Sequence, residues 1–479
     1  MSEAMIDQLL TRAAAAEAAH KWIEAVALYE VALARSPDHV GAMLGAAQAC
    51  REGGDHARAV IFLARADRTE PGRADVALAL GEALAATSRL AEAAAAFERA
   101  RAARPLDAAV AARLGAARLA AGDAAGAVEV FEAALRLDPA EPRARRDIGS
   151  ALAAAGRPLD AIAAFRRLGD AAPRADRAAA LCAVGDMAGG FAELDALAGA
   201  ALPPWAARLP AWDGRPLDGP LLVVGPTDPL DILALAPALP LARSLVAGLV
   251  LAVPKPFARL AAALAGVDRL VTDETPAAAA VPLAGLPHRL GLTAGSFVPH
   301  GPWLTPEPAL ADRWSARLGL GKGKPVIGLA WGNGLDPADL APLAGLDDLR
   351  FVALERLPAS TIARAPGAAS GWEVTGTPVR IEHPGPDFEA GVDARVDGAA
   401  LIARLDAVIA VDGLPLRLAG ALDRPGVALL PSVAGWVWAM DGERSPRFPS
   451  LSLVRRAPEG SFQALLPRAI RLVRDALRR

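Results

Sequence analysis

Three stretches of this sequence carry residue types that could do chemistry on an anion. In the first, Ala407 to Val411 is a short apolar run rich in β-branched residues. It ends on Asp412 and Gly413, and Leu414 to Leu422 then has a helical pattern that stops at Asp423-Arg424-Pro425. Strand, turn and helix in that order leave unpaired backbone N–H groups at the carboxyl edge of a sheet, where phosphates bind in nucleotide-binding folds. A buried strand-helix-strand unit without a ligand has the same apolar pattern, so both readings stay open. The second stretch is Gly332-Asn333-Gly334, after the apolar run Lys324 to Trp331. Its backbone could approach a phosphate closely, although an Asn-Gly turn needs no ligand. The third is Asp231, which opens the helical run Ile232 to Leu239 and suits an N-cap.

Other chemistry finds little support. The histidines His20, His39, His56, His288, His300 and His383 are scattered without metal-ligand spacing and read as surface or loop residues. Cys50 and Cys182 lie in apolar helical patterns and read as buried thiols rather than a disulfide. No phosphate-binding P-loop and no Ser-His-Asp order is visible. The net charge of −3 supplies no general field for nucleic acid. The basic C-terminal run, Arg455 to Arg479, reads equally as a solvated helix face or a partner surface. The start MSEAMIDQLL lacks the layout of a signal peptide, and no apolar run approaches membrane-spanning length, so a soluble, cytoplasmic chain is expected.

The elements that must position these residues follow from the apolar periods. At 479 residues the chain is too long for one ordinary core. From Leu221 onward short apolar runs alternate with helical ones. Leu221 to Gly225, Leu249 to Val253, Arg269 to Thr272 and Ala280 to Leu283 form one series of strands, with helices at Asp231 to Ala242 and Pro256 to Leu264. Lys324 to Trp331, Leu349 to Leu354, Ala407 to Val411 and Val427 to Leu430 form a second. Such alternation predicts parallel sheets covered by helices, and two in tandem predict a cleft between them. The segment LPPWAARLPAWDGRPLDG, Leu202 to Gly219, reads as the boundary before them.

The first two hundred residues follow a different rule. Pro37, Pro71, Pro105, Pro139 and Pro173 stand 34 residues apart. The same interval relates Ala25, Ala59, Ala93, Ala127 and Ala161, the large residues Tyr29, Leu63, Phe97, Phe131 and Phe165, and the glycines Gly81, Gly115 and Gly149. This period, with small residues where two helices touch, a large residue packing into the next unit and a proline closing the second helix, resembles the tetratricopeptide repeat. Turns are expected near Gly53-Gly54-Asp55, Ser88-Arg89, Gly122-Asp123 and Gly156-Arg157, with a shortened sixth unit around Cys182 to Leu197 capping the stack. A stack of helical pairs binds segments of other proteins or serves as a spacer or dimer surface.

The second half carries a resemblance of its own. Asp231-Ile-Leu-Ala-Leu-Ala-Pro237-Ala-Leu239 resembles the opening motif of the heptosyltransferase-like glycosyltransferases of GT-B fold. Val411-Asp412, Leu418 to Leu422 and Arg424-Pro425 resemble their donor-site strand and helix, and Gly328 to Asn333 the first strand of their C-terminal domain. Trp436, Trp438, Ser445-Pro446, Phe448-Pro449 and the linker Trp212-Asp213-Gly214 are similar to a subgroup that fuses tetratricopeptide repeats to such a domain. The resemblance implies an α + α/β chain: a tetratricopeptide solenoid over 1–200, a linker over 201–219, and Rossmann-like domains over 220–315 and 316–479 in GT-B arrangement. It also implies inverting, metal-independent sugar transfer from a nucleotide-sugar, with no cofactor beyond that donor. Asp231 would be the catalytic base, and Asn333, Asp412, Gly413 and Arg417 would hold the diphosphate. The acceptor would be a protein client, such as a flagellar or surface protein, or a glycan. The sequence departs from that pattern where Gly413 and Arg417 stand in place of a Thr and a His. Arg417 can replace a phosphate contact but not a proton donor. An altered donor site and a transferase-like domain that has lost catalysis, serving as an adaptor, are therefore both expected outcomes.

Overall fold

The computed structural model describes residues 3–332, 334–391, 395–438, 442–457 and 460–478. The chain divides into two compact units, Met1–Asp176 and Arg177–Arg479.

The first unit is a solenoid of five antiparallel helical pairs: α1 (Glu3–Ala18) with α2 (Trp22–Arg35), α3 (Val40–Glu52) with α4 (His56–Thr69), α5 (Ala74–Ala86) with α6 (Leu90–Ala103), α7 (Ala108–Ala120) with α8 (Ala124–Leu137), and α9 (Pro142–Ala154) with α10 (Pro158–Leu168). The sequence repeat explains the packing. A Cβ placed on Gly81, Gly115 or Gly149 would lie 2.7, 2.8 or 2.3 Å from the ring of Phe97, Phe131 or Phe165, so only glycine lets each aromatic reach the opposite backbone. These phenylalanines lie against the glycine of their own pair, whereas Tyr29 meets Gly45 in the pair that follows its own. The four turns fall where expected. Gly54, Gly122 and Gly156 have φ of 81°, 88° and 75°, and Ser88 takes the same left-handed region at 60°. Asp55, Asp107, Asp123 and Glu141 cap the helices that follow. First helices touch one another between neighbouring pairs, α1 with α3 and α7 with α9. The first helices therefore line the inner curve and the second helices the outer.

The second unit mixes helices with two sheets. Strands β1 (Leu217–Val224), β2 (Val246–Ala252), β3 (Arg269–Val271) and β4 (Ala279–Pro282) form a parallel sheet in the order β3-β2-β1-β4. The larger sheet has the order β12-β11-β10-β5-β6-β9-β8-β7. It uses β5 (Val326–Ala330), β6 (Arg350–Ala353), β7 (Ile362–Arg364), β8 (Trp372–Val374), β9 (Ile381–Glu382), β10 (Ala407–Val411), β11 (Gly426–Leu430) and β12 (Leu451–Arg455). Its strands are parallel from β12 to β9, and β8 and β7 are added antiparallel. This antiparallel extension and β12 had no counterpart among the expected strands. Their runs are two to five residues long and lack the continuous apolar signature of a buried parallel strand.

Two expected helices differ. Asp231 to Ala242 is split into Pro229–Leu235 and Ala238–Arg243, because Pro237 has no N–H to continue the ladder. Pro256 to Leu264 shortens to Ala258–Ala261 after a 3₁₀ turn. The helical pair expected to cap the stack, α11 (Arg174–Ala183) and α12 (Met187–Ala200), shares its core with the sheets. Cys182, Met187 and Phe191 lie in one apolar cluster with Leu221 and Val223 of β1, Leu401, Leu418 and Trp438. The boundary segment also packs tightly: Trp212 is buried, its N–H bonds the carbonyl of Ala280, and its indole N–H bonds the carbonyl of Arg215. Among the described residues no helix is long and apolar enough to cross a membrane.

Candidate functional site

The strand-turn-helix stretch forms as expected. β10 ends on Val411, Gly413 is extended, and the helix Leu414–Ala421 begins with Pro415 in its first turn, where a missing N–H costs nothing. The polar groups around this turn are committed to one another. Arg417 is buried, and its Nε and Nη2 donate to the two carboxylate oxygens of Asp412 at 3.3 and 3.4 Å. Nη1 donates to the carbonyl of Leu230 at 2.9 Å, across to the short helix Pro229–Leu235. The indole N–H of Trp438 donates to the same Asp412 carboxylate at 2.7 Å, and its ring lies 5.8 Å from the guanidinium of Arg417. The anion beside this helix N-terminus is thus supplied by the chain itself, and the one arginine expected to meet a diphosphate serves as a strut.

Asp231 lies on the facing short helix. The cap there is Asp228, whose carboxylate accepts from the N–H of Leu230 at 2.8 Å, so the capping role read for Asp231 belongs to its neighbour. Among the described residues no hydrogen bond or ion pair engages the Asp231 carboxylate. Partial desolvation raises its pKa, Asp228 adds to the effect and Arg417 opposes it. The structure therefore brings Asp231, Asp412, Gly413 and Arg417 to one place. Asn333 lies outside the described residues. Its neighbour Gly332 has φ of 52° and donates its backbone N–H to the carboxylate of Glu355, which burial raises in pKa. That loop, too, has met an anion from within the chain.

The residues that carried the family resemblance turn out to brace the fold. Phe448 stacks on Trp303 at 5.5 Å and tilts against Trp438 at 5.4 Å. A Cβ on Gly420 would lie 2.3 Å from the Phe448 ring. Trp303 also donates its indole N–H to the carbonyl of Leu233 at 3.0 Å and its backbone N–H to Ala421 at 3.0 Å, closing the space between the two short helices. Ser445 turns the chain by accepting from the N–H groups of Arg447 and Phe448.

His383, read as a surface or loop residue, lies in the loop after β9 but is buried, 1% exposed. Its Nδ1 accepts from the N–H of Gly385 at 3.0 Å, and Nε2 faces the carbonyl of Glu355 at 3.2 Å. Burial lowers its pKa, so it sits as a neutral imidazole bonding two strand ends. Cys50 and Cys182 are buried free thiols, pushed up to about 11 and about 12 by burial. Among the described residues no cluster of His, Cys, Asp or Glu could hold a metal ion. The sheet of β1 to β4 keeps a cavity of about 510 Å³ at its carboxyl edge, lined by Gly225, Thr227, Val253, Thr272 and Trp205, with Thr227 and Thr272 as its polar side chains. Sequence reasoning missed it, because the residues that form its walls are ordinary strand ends.

Among curated proteins none matches the sequence significantly. Among solved structures, MamA protein is 21% identical over 34% of this chain and 88% of its own, with a TM-score of 0.33. A fragment of MamA from Desulfovibrio magneticus RS-1 is 18% identical over 34% of this chain and 92% of its own, with a TM-score of 0.32. YrrB, described as a TPR protein with an unusual peptide-binding site, is 20% identical over 34% of this chain and 84% of its own, with a TM-score of 0.32. The sequence profile of the tetratricopeptide repeat matches residues 16–70 and 118–184. The helices within those residues belong to tetratricopeptide repeats.

Proposed function

We propose that this chain is a protein-binding adaptor: a tetratricopeptide solenoid that recruits a client, joined to a Rossmann-like, GT-B-type α/β region that serves as a scaffold. The observation that carries this reading is the commitment of Arg417 to Asp412 and to the carbonyl of Leu230. A nucleotide-sugar would have to break that strut and displace the Asp412 carboxylate from its place beside the helix N-terminus, and either step costs free energy that phosphate contacts must recover. The test is thermal unfolding of the full chain against a panel of nucleoside diphosphates and their sugars. A bound ligand at a hundred times its dissociation constant adds about 2.7 kcal/mol to native stability. The adaptor reading expects no shift with any of them, and a shift with one base would overturn it.

The second reading is the metal-independent glycosyltransferase, and Asp231 favours it: a carboxylate of raised pKa without a hydrogen-bond partner suits a general base. In that reading Asp231→Ala abolishes sugar transfer to the client, and equal transfer by parent and variant would sink it. Two cysteines held as free thiols fit a reducing, cytoplasmic setting. Recovery of the tagged chain from a membrane or secreted fraction would contradict that placement.

A further inference from the structure

The 34-residue register identifies two places where the last repeat departs from the others. One period apart, Met43, Ala77 and Ala111 are buried apolar residues of first helices, and the next in the series is Arg145, which is exposed. Likewise Phe62, Ala96 and Val130 are buried residues of second helices, and the next is Ala164, which is only half-buried. Both departures face the same space. Between α8 and α10, with α9 as its floor, lies a cavity of about 660 Å³. It opens on the outer curve of the solenoid, away from the inner face formed by the first helices. Leu135, Ile148, Leu152 and Leu168 give it an apolar lining.

Charge at this cavity is unbalanced. Four arginines line it against Glu132 and Asp160, and Arg157 engages both carboxylates, at 3.8 and 2.8 Å. Arg136, Arg145 and Arg167 are exposed at its edge, and none has a carboxylate partner among the described residues. At the earlier junctions Arg58 meets Glu30, Arg99 meets Asp67 and Arg118 meets Glu98, and Arg65 reaches the carbonyl of Pro37. An apolar hollow ringed by unmatched guanidinium groups is complementary to an apolar group ringed by carboxylates. Leu159, beside Asp160 on α10, is 72% exposed and extends the apolar surface beyond the cavity, which favours a chain segment over a small anion.

We infer that the cavity between α8 and α10 is a docking site for a protein segment that presents a large apolar side chain flanked by Asp or Glu. The inference rests on the protein-binding reading and adds to it a place, on the outer face, and a partner chemistry. Fluorescence anisotropy of the full chain with labelled peptides tests it, using a Leu or Phe centre flanked by Glu and the same peptides flanked by Lys. The acidic set binds and the basic set does not. The double variant Arg145→Glu, Arg167→Glu lowers affinity by at least about tenfold by turning attraction into repulsion. Ala164→Trp, which fills the hollow, also abolishes binding, while circular dichroism shows an intact solenoid for both. Arg143→Glu, which reverses one charge as Arg145→Glu alone does, is the control for position. It sits about half a turn round α9 from Arg145, Ile148 and Leu152, and should leave affinity unchanged within about twofold.

Any of three results would overturn the site: no acidic peptide binds, the double variant binds as well as the parent, or Arg143→Glu weakens binding equally. Competition by tripolyphosphate without dependence on the apolar centre would overturn it in favour of a small-anion site. The protein-binding reading is judged separately, by photo-cross-linking of clients to the full chain in cells. Clients captured through inner-face positions, with no peptide binding at the outer cavity, would leave that reading standing and remove this inference alone.

Discussion

The two units bury their chains by opposite means. In the solenoid, packing rests on size: a glycine on each of three first helices admits a phenylalanine from its partner helix, and alanines fill the remaining contacts. Buried charge is nearly absent there, Glu141 being an N-cap. In the α/β unit, Glu382, His383, Asp397, Arg417 and Arg447 are all buried and hydrogen-bonded, Glu382 by the guanidinium of Arg350. Asp397, with no exposed surface, accepts from Arg313, from the indole of Trp314 and from the N–H of Glu389. The difference teaches where specificity resides. Size-based packing repeats with the sequence and leaves the outer surface free to vary. Buried polar networks fix single geometries, and here one of them occupies the place where a ligand was expected.

The comparison is broken most strongly by removing a large side chain from the solenoid. Phe131→Ala, fully buried against Gly115, should cost about 4 kcal/mol. Gly115→Val should cost about 3 kcal/mol by overpacking against the same ring. The pair Gly115→Ala with Phe131→Leu should recover part of the summed loss, because the two residues share one contact. Urea unfolding gives the energies, and hydrogen exchange assigns them to the first unit. Additive losses in the double variant would refute the size-matching account.

Next in size is the strut. Arg417→Ala should cost about 3 kcal/mol, since it leaves Asp412 with Trp438 alone and strips the Leu230 carbonyl of its donor. Arg417→Met combined with Asp412→Asn should cost less than Arg417→Ala alone, because neutral replacements remove the desolvation of both charges together and leave only the Leu230 carbonyl without its donor. If the double variant falls as far as the single one, the network contributes more than its pair of charges. Arg447 sharpens the point. Its guanidinium donates to the carbonyl of Phe297 and lies 4.4 Å from that ring, and burial pushes its pKa down. Arg447→Met should therefore change stability by no more than about 1 kcal/mol, read on the unfolding of the second unit.

Legibility in the sequence followed the same division. A period of 34 residues is visible by counting, because each repeat must present the same small and large residues to its neighbours. It located the helical pairs and their turns. Ser88 shows the reading was of position and not merely of glycine, since a non-glycine takes the left-handed turn there. In the α/β unit the strands with continuous apolar runs and the short edge strand β3 were legible, whereas β7, β8, β9 and β12 were not. Asp231, Gly413 and Arg417 lie together around Asp412, yet their roles were not readable, because Arg417 finds Leu230 across 187 residues of sequence and no local pattern records that contact. Of the two tryptophans read as a family mark, Trp438 packs on Phe448, the ring that lies against Gly420, and Trp436 meets Phe191 edge-on.

The smallest expected effect separates the two readings of Asp231. Desolvation raises its folded pKa above the unfolded value, with Asp228 adding and Arg417 opposing. Between those two values the native state holds a proton that the unfolded chain has released, so stability falls as pH rises through that interval and the full penalty is present above the folded pKa. Asp231→Asn, which carries no charge at any pH, should therefore raise the melting temperature of the second unit slightly at pH 7. The gain should vanish as the pH is lowered through the ordinary carboxylate range, where the parent aspartate becomes neutral too. Added Arg417→Met removes the opposing cation, so the parent penalty and the gain from Asp231→Asn should both grow. A variant less stable than the parent at neutral pH would mean that the Asp231 carboxylate is held by a favourable contact, and the case for it as a free base would be lost. A destabilised charge with no structural partner among the described residues is what a catalytic group looks like before its substrate arrives. Stabilisation by Asp231→Asn would therefore keep the transferase reading alive even in a chain whose arginine is already committed.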